Sequence, residues 1–279
     1  MAKHEHLIIP FASSLDEGCQ AALKSLNLPN LTLFLKHAEL TDSLEGDEFD
    51  FIPPHERVWL QANQDKASQP SVVITPCHWL VGIDRISMAN PADLKLTNEE
   101  SQTLFALMRP YFLEDGIELM YSAPMRWYAM GESLSGIPFA SLDRVIGRNV
   151  DAWQPPAAHS KAIHRLQNEM QMLLYTHPIN EARAALGLPT VNSFWLSPEV
   201  APTDNSDLSL VAPALASDWE TWATAWALID QRIESYNAIT LCGERHAHTY
   251  SIPPTRSFAK KVQRLFKPAP TIPSVLSSL

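Results

Sequence analysis

Residues 71–88, SVVITPCHWLVGIDRISM, are the stretch that decides the fold class of this chain. β-branched and aromatic residues dominate it, and Pro76 and Gly82 interrupt it. This composition predicts one or two central strands with a bend. A helix follows, because Thr97 and Glu100 have the spacing of a capping box at its start.

Strand-like and helix-like segments alternate along the rest of the chain. Residues 158–176 predict a long amphipathic helix whose apolar stripe is Ile163, Leu166, Met170, Leu173 and Leu174. Further strands are predicted at residues 6–12, 117–131, 191–198, 208–214 and 239–252. The alternation favours an α/β fold with a mixed sheet and helices on both of its faces.

Length and composition indicate one folded domain with a tail. The chain has 279 residues, of which 46% are hydrophobic, so it can bury a sizeable core. We expect a single α/β domain over residues 1–252 and a mobile, basic, Pro/Ser-rich tail over 253–279. Within that tail, residues 258–267 have the pattern of a short basic amphipathic helix that could dock on an acidic partner or an anionic lipid.

Charge and cysteine usage restrict the partners and the compartment. The formal net charge is -10, which disfavours binding to nucleic acid. The sequence has no run of about 18 apolar residues, so no transmembrane segment is predicted. The three cysteines, Cys19, Cys77 and Cys242, form no C-x-x-C pair, which fits a reducing compartment, and we expect a cytoplasmic protein. Nothing in the pattern indicates an oligomeric state.

The common catalytic signatures are missing from the sequence. It contains no P-loop, no dinucleotide-binding glycine pattern, no H-E-x-x-H and no G-x-S-x-G. We therefore expect no cofactor and no resident metal, and the sequence leans away from an enzyme.

The densest group of polar residues lies in residues 175–195. His177 precedes a helix that Pro178 begins, and Asn180 and Arg183 lie three residues apart on one helical face. Asn192 and Trp195 begin the following strand. This pattern is consistent with an anion site, but it also fits structural roles: a helix cap for Asn180, an ion pair for Arg183 and a carbonyl contact for His177.

Further arginines beside aromatic residues extend the candidate site. They are Arg126 with Trp127, Arg144 and Arg148. Arginine binds phosphate and carboxylate groups through its planar fork, and a neighbouring tryptophan can stack on a ring or on the guanidinium. The alternative is a set of solvated or ion-paired side chains.

Two H-x-H pairs are candidates for metal ligands. His246 and His248, like His4 and His6, would share one face of a strand. The sequence places no acidic or cysteine partner beside them, so exposed strand histidines are the other interpretation.

Several segments resemble the RpfE-type regulatory proteins of proteobacteria. They include LIIPFA, APMRWY, SLDRVIGRNVDAWQPP, LCGER and the long segment LQNEMQMLLYTHPINEARAALGLPTVNSFWLS, so that the resemblance spans residues 6–250. Part of the long segment, H-P-x-N-x-x-R…G…P-x-x-N-x-x-W, is also similar to archaeal-type cofactor-independent phosphoglycerate mutase. The residues that match it are His177, Pro178, Asn180, Arg183, Gly187, Pro189, Asn192 and Trp195.

These resemblances imply two functions. The first implies a regulatory protein that recognises an anionic small molecule or a protein partner and has no recognisable catalytic site. The second implies an alkaline-phosphatase-like core and, as an alternative function, a phosphoglycerate mutase-like or phosphatase-like metalloenzyme with a metal site around His246 and His248.

Overall fold

The structure is a computed structural model that describes residues 4–63, 72–253 and 270–279. Within these residues the strands are β1 His4–Ile9, β2 Glu39–Leu44, β3 Val72–Cys77, β4 Trp79–Val81, β5 Ile86–Met88, β6 Glu118–Ala123, β7 Arg126–Met130, β8 Ser193–Pro198, β9 Tyr236–Cys242 and β10 Ala247–Ser251. The α-helices are α1 Glu17–Leu23, α2 Pro29–His37, α3 Pro54–Ala62, α4 Asn98–Glu114, α5 Leu142–Val145, α6 Ala157–Tyr175, α7 Pro178–Ala185, α8 Val211–Leu215, α9 Trp219–Asp230 and α10 Ile272–Leu276.

The backbone contacts divide the chain into two compact units. Unit 1 comprises residues 1–65 and 200–279, and unit 2 comprises residues 66–199. The sequence predicts one domain over residues 1–252. In the structure, the sequence of unit 2 is inserted between the two segments that form unit 1.

Unit 1 contains a mixed four-stranded sheet in the order β1-β9-β10-β2. β1 and β9 are parallel, and the other pairs are antiparallel. One face packs through Leu7, Ile9, Ile239 and Leu241 against a core that α1, α2, α9 and α10 share. The opposite face packs against Trp59 of α3. The prediction of an α/β fold with a mixed sheet and helices on both faces is confirmed here.

Unit 2 contains an antiparallel sheet in the order β6-β7-β3-β8 and a two-stranded hairpin of β4 and β5. The central strand β3 lies in the stretch that decides the fold class. Helices α4 and α6 cover one face of this sheet, and the predicted stripe of α6 is buried except for the half-buried Leu173. The capping box of α4 is also present: Glu100 N–H donates to Thr97 Oγ1, and Thr97 N–H donates to Glu100 Oε2.

One predicted strand is a helix. Residues 208–214 were expected to be extended, but α8 covers Val211–Leu215. A short apolar run without clear periodicity fits a buried strand and a buried helix equally well. Here Leu210 and Ala214 enter the core of unit 1 four residues apart, which is helical spacing.

The last ten residues of the predicted mobile tail pack against unit 1. In α10, Ile272, Val275 and Leu276 are buried, and Leu279 follows them into the same core. The apolar residues of this segment stabilise it against unit 1, which a composition argument does not reveal. The proposed basic helix at 258–267 lies outside the described residues.

No helix of the described chain is both long enough and apolar enough to cross a membrane.

Candidate functional site

The residues proposed from sequence for the anion site lie in unit 2, and α7 with its N-cap carries three of them. His177 is the N-cap of α7, because its Nδ1 accepts a hydrogen bond from Ile179 N–H at 3.3 Å. Asn180 is 6% exposed, and its Nδ2 donates to the carbonyls of Leu174 and Val191. Its Oδ1 accepts from Val191 N–H at 2.9 Å. Asn180 therefore holds the start of the following strand segment, while His177 has the capping role that the sequence gave to Asn180 as an alternative.

Arg183 forms a buried ion pair. Its side chain is 1% exposed, and Nη1 donates to Glu100 Oε1 at 2.7 Å. Nε donates to the Pro189 carbonyl at 2.9 Å, and Nη2 donates to the Leu94 carbonyl. Burial alone would raise the pKa of Glu100, but hydrogen bonds from Thr97 and Arg183 lower it below its usual value. These contacts are those of a structural ion pair.

The two aromatic residues and Asn192 also bond to the protein itself. Asn192 accepts from Trp79 N–H at 2.7 Å and donates to the Trp79 carbonyl at 2.9 Å. Trp195 Nε1 donates to the Ala140 carbonyl, and Trp127 Nε1 donates to Ser101 Oγ. Trp127 is 0% exposed and Trp195 is 2% exposed.

The remaining arginines lie apart from α7 in sequence and in role. Arg126 pairs with Glu199 at 3.1 Å and donates from Nε to the Tyr128 hydroxyl. Arg144 is buried, and its guanidinium carbon lies 5.9 Å from the centre of the Trp153 ring. Arg148 is half-buried after α5.

These placements correct the physical basis of the predicted anion site. The side chains of Asn180, Arg183 and Asn192 were expected to face a ligand, whereas their polar atoms bind backbone groups and Glu100. The interpretation as caps and ion pairs, left open by the sequence, accounts for these contacts. The anion site on α7 therefore stays a prediction without a contact that favours it.

A different group of polar residues lies in unit 1, where β1 and β9 end side by side. Because the two strands are parallel, the loops that follow them, residues 10–16 and 243–246, meet at the carboxyl edge of the sheet. Ala12 N–H donates to the Cys242 carbonyl at 2.8 Å and joins the loops. In α/β proteins this edge is where ligands commonly bind. We call residues 10–16 and 243–246 the carboxyl-edge loops.

The first of these loops has an unusual backbone at Phe11. Its φ angle is 52°, in the left-handed region that aromatic residues rarely adopt. Two indoles of α9 hold it there, since Trp222 Nε1 donates to the Phe11 carbonyl at 2.9 Å and Trp226 Nε1 donates to the Ala12 carbonyl at 3.3 Å. Strained backbone that is fixed by its surroundings is often found at functional sites.

Buried hydroxyl and carboxyl groups follow Phe11. Ser13, Ser14 and Glu244 are each less than one-tenth exposed. Ser14 Oγ donates to Glu244 Oε1 at 3.1 Å, and it accepts from Asp16 N–H. Cys19 lies beside them, and burial raises the pKa of its thiol to about 11, so this cysteine is a poor nucleophile.

The second loop contains Arg245, whose Nε–H group has no acceptor among the described residues. Arg245 Nε is buried and has no hydrogen-bond acceptor among the described residues. The backbone N–H groups of Arg245 and His246 both donate to the main-chain oxygen of Leu279, at 2.9 and 2.7 Å. Buried donors without an acceptor are uncommon in folded proteins, and Arg245 Nε is one of several such atoms in the described residues, together with Trp79 Nε1.

The histidines proposed as metal ligands lie on the same hairpin. The rings of His246 and His248 are parallel, with centroids 6.1 Å apart. Burial lowers the pKa of His248, as does the charge of His246, while Glu45 opposes both effects. In the part of the chain that the structure describes, no third histidine, cysteine or carboxylate converges with these two rings. His6 lies on β1, with Nε2 2.7 Å from Thr240 Oγ1.

The sequence could have indicated only part of this edge. The loop after the first strand is a reasonable place to look for a site, because the carboxyl ends of parallel strands bind ligands. The second loop was not predictable in this way, since its position depends on β1 pairing with β9 from the other end of unit 1.

Comparisons with known proteins give a distant likeness. No protein-family model and no curated protein matches the sequence. A solved cofactor-independent phosphoglycerate mutase from Thermoplasma acidophilum is similar over 89% of this chain and 89% of that chain, with 12% identity and a TM-score of 0.33. The PH0037 protein from Pyrococcus horikoshii is similar over 92% of this chain and 89% of that chain, with 10% identity and a TM-score of 0.39. The comparisons therefore show structural similarity to a phosphoglycerate mutase at a low TM-score.

Proposed function

We propose that this chain is a regulatory binding protein for a small anion and that the anion binds at the carboxyl-edge loops of unit 1. The observation that carries the proposal is the buried Nε of Arg245, which lacks an acceptor among the described residues. A carboxylate or phosphate oxygen would supply that acceptor, and charge-assisted hydrogen bonds of this kind are strong. The anion predicted from sequence is kept, but its site is moved from α7 to this edge.

The surroundings of Arg245 support binding more than catalysis. The loop that faces it across the sheet edge is fixed by the Trp222 and Trp226 indoles, so little ordering would be needed on binding. Ser14 and Glu244 are hydrogen-bonded to each other and are both buried. The regulatory role itself rests on the resemblance to RpfE-type proteins. It would also require a protein partner that recognises the anion-bound form of this chain.

A cytoplasmic location is also part of the proposal. All three cysteines are free and buried, which suits a reducing, cytoplasmic environment.

The test is a binding titration with inorganic phosphate, sulfate and 3-phosphoglycerate at matched ionic strength. At a ligand concentration of about 100 times Kd, binding to the folded state adds about 2.7 kcal/mol to the free energy of unfolding. We expect this stabilisation in the wild type and its loss in Arg245→Lys, which keeps the charge but removes the guanidinium. Arg232→Lys is the matched control, because Arg232 is an exposed arginine of unit 1 that is paired with Asp207.

Equal stabilisation of the wild type and Arg245→Lys by every anion would contradict the proposal. So would stabilisation that Arg232→Lys removes to the same extent, since the effect would then be one of net charge.

A phosphoglycerate mutase-like or phosphatase-like enzyme is the alternative. The Ser13 and Ser14 hydroxyls in the loop that follows β1 are the observation in its favour, because a phosphotransferase needs a nucleophile at such an edge. The assay is interconversion of 2- and 3-phosphoglycerate with added Mn²⁺. Turnover that Ser14→Ala abolishes and a chelator suppresses would favour the enzyme over the binding protein.

A further inference from the structure

The backbone of residues 245 and 246 forms a concave donor site that this chain fills itself. The N–H groups of Arg245 and His246 both donate to one oxygen, the main-chain oxygen of Leu279, at 2.9 and 2.7 Å. Consecutive backbone N–H groups that converge on one acceptor form a nest, which is a typical anion-binding geometry. Gly243 N–H donates to the His246 carbonyl at 2.9 Å and closes the turn that presents both donors.

The segment that fills this nest is residues 270–279, which we call the closing segment. Its buried residues have the spacing i, i+3, i+4 and i+7, the pattern of a helix that docks in a groove: Ile272, Val275, Leu276 and Leu279. Ser277 Oγ donates to Gln20 Oε1 at 3.3 Å, and Gln20 Nε2 donates to the Ser14 carbonyl at 2.6 Å. The closing segment therefore contacts both carboxyl-edge loops, one directly and the other through Gln20.

The fit at Gly243 is too close for any other residue. A Cβ atom at this position would lie 2.5 Å from Leu279 Cβ and 2.7 Å from the main-chain carbon atom C of Leu279. Glycine is needed here because another backbone approaches, and its φ is not in the left-handed region. Substitution of Gly243 would thus displace Leu279 from the nest.

We propose that the Arg245–His246 nest is an anion site and that the closing segment is its built-in competitor. This inference rests on the proposed function, because it adds two backbone donors of the same loop to the Arg245 guanidinium. The ligand class is a carboxylate or a phosphate, whose oxygen replaces the main-chain oxygen of Leu279. Undocking of the closing segment and binding of the anion at the nest are then coupled, since both require the same two N–H groups.

The experiment weakens the closing segment in two independent ways in the full chain. Leu276→Ala removes a buried side chain of α10, and Gly243→Ala introduces the steric conflict with Leu279. Ser274→Ala is the control, because Ser274 is an exposed residue of the same helix. For each protein, hydrogen exchange of the Arg245 and His246 amides and the Kd for inorganic phosphate are measured.

We expect faster exchange at the two amides and phosphate affinity raised by about tenfold in both variants, a typical coupling, with no change in Ser274→Ala. Faster exchange with unchanged or weaker phosphate affinity would overturn the competition, while phosphate binding by the wild type would leave the proposed function intact. Unchanged exchange in both variants would also overturn it. Faster exchange without phosphate binding by any of the proteins would remove the proposed function and this inference with it.

Discussion

Two arginines, Arg183 and Arg245, differ in what their guanidinium groups contact. Arg183 is 1% exposed and donates to Glu100 and to two carbonyls. Arg245 has a buried Nε that no acceptor among the described residues satisfies. From sequence, Arg183 is the more conspicuous of the two, because it follows a proline and a capping histidine. The contacts assign Arg183 to the stability of unit 2 and leave Arg245 as the candidate for ligand recognition.

Substitution of Arg183 tests that assignment. We expect Arg183→Ala to lower the free energy of unfolding by about 3 kcal/mol, because it removes the guanidinium donors of Glu100 Oε1 and of two carbonyls. The stabilisation by phosphate, relative to the variant's own baseline, should be retained. Urea denaturation with and without phosphate measures both quantities. A stable Arg183→Ala protein that no longer responds to phosphate would return the anion site to α7.

The indole donors of α9 are a second residue-scale test. Trp222→Phe removes the donor to the Phe11 carbonyl and should cost about 1–3 kcal/mol of stability, since that carbonyl is held in a rare backbone conformation. It should also weaken phosphate binding, because the carboxyl-edge loop loses its support. Trp195→Phe is the matched control: it removes an indole bond to the Ala140 carbonyl in unit 2. An equal loss of phosphate affinity in both variants would show that the effect is general destabilisation.

The strands of unit 1 carry the pH dependence. Burial lowers the pKa of His6 on β1, and burial together with the charge of His246 lowers that of His248 on β10, against the opposing effect of Glu45. Below the ordinary histidine value of 6.5 the unfolded chain therefore binds more protons than the folded one. The free energy of unfolding should be highest above about pH 7 and should fall as the pH decreases below that pH.

Urea midpoints measured between about pH 7.5 and pH 5.5 check this prediction, because carboxylate titration lies mostly below this range. His6→Gln and His248→Gln should each flatten the profile. His246→Gln should flatten it in part, since it removes the like charge beside His248. A profile that is flat in the wild type would contradict the shifted histidines.

At the scale of elements, local signals were sufficient where one mechanism decided the structure. The capping box of Thr97 and Glu100 predicts the start of α4, and the apolar spacing predicts α6. Local signals were insufficient where tertiary contacts determined the structure. Ser217 and Glu220 have capping-box spacing, yet Asp218 is the N-cap of α9 and Ser217 takes a φ of 52°.

At the scale of the whole chain, the class of fold follows from the alternation of segments, but the division into units does not. Unit 1 is built from both ends of the chain, since β9 pairs with β1 and the closing segment returns to their carboxyl edge. Pairings over such separations leave no mark in spacing or composition. The candidate site at this edge depends on them, which is why sequence reasoning placed the site in the local cluster of residues 175–195.

The central claim, that unit 1 binds an anion at Arg245, is tested most directly by nuclear magnetic resonance of the arginine side chains. Phosphate is titrated into the full chain, and the Nε–H resonances of Arg245 and Arg183 are followed, with Arg245→Lys used for assignment. The account predicts a saturable shift of the Arg245 resonance and no movement of the Arg183 resonance. A saturable shift at Arg183 or at the His177 amide, with Arg245 unchanged, would contradict it, and so would the absence of any shift.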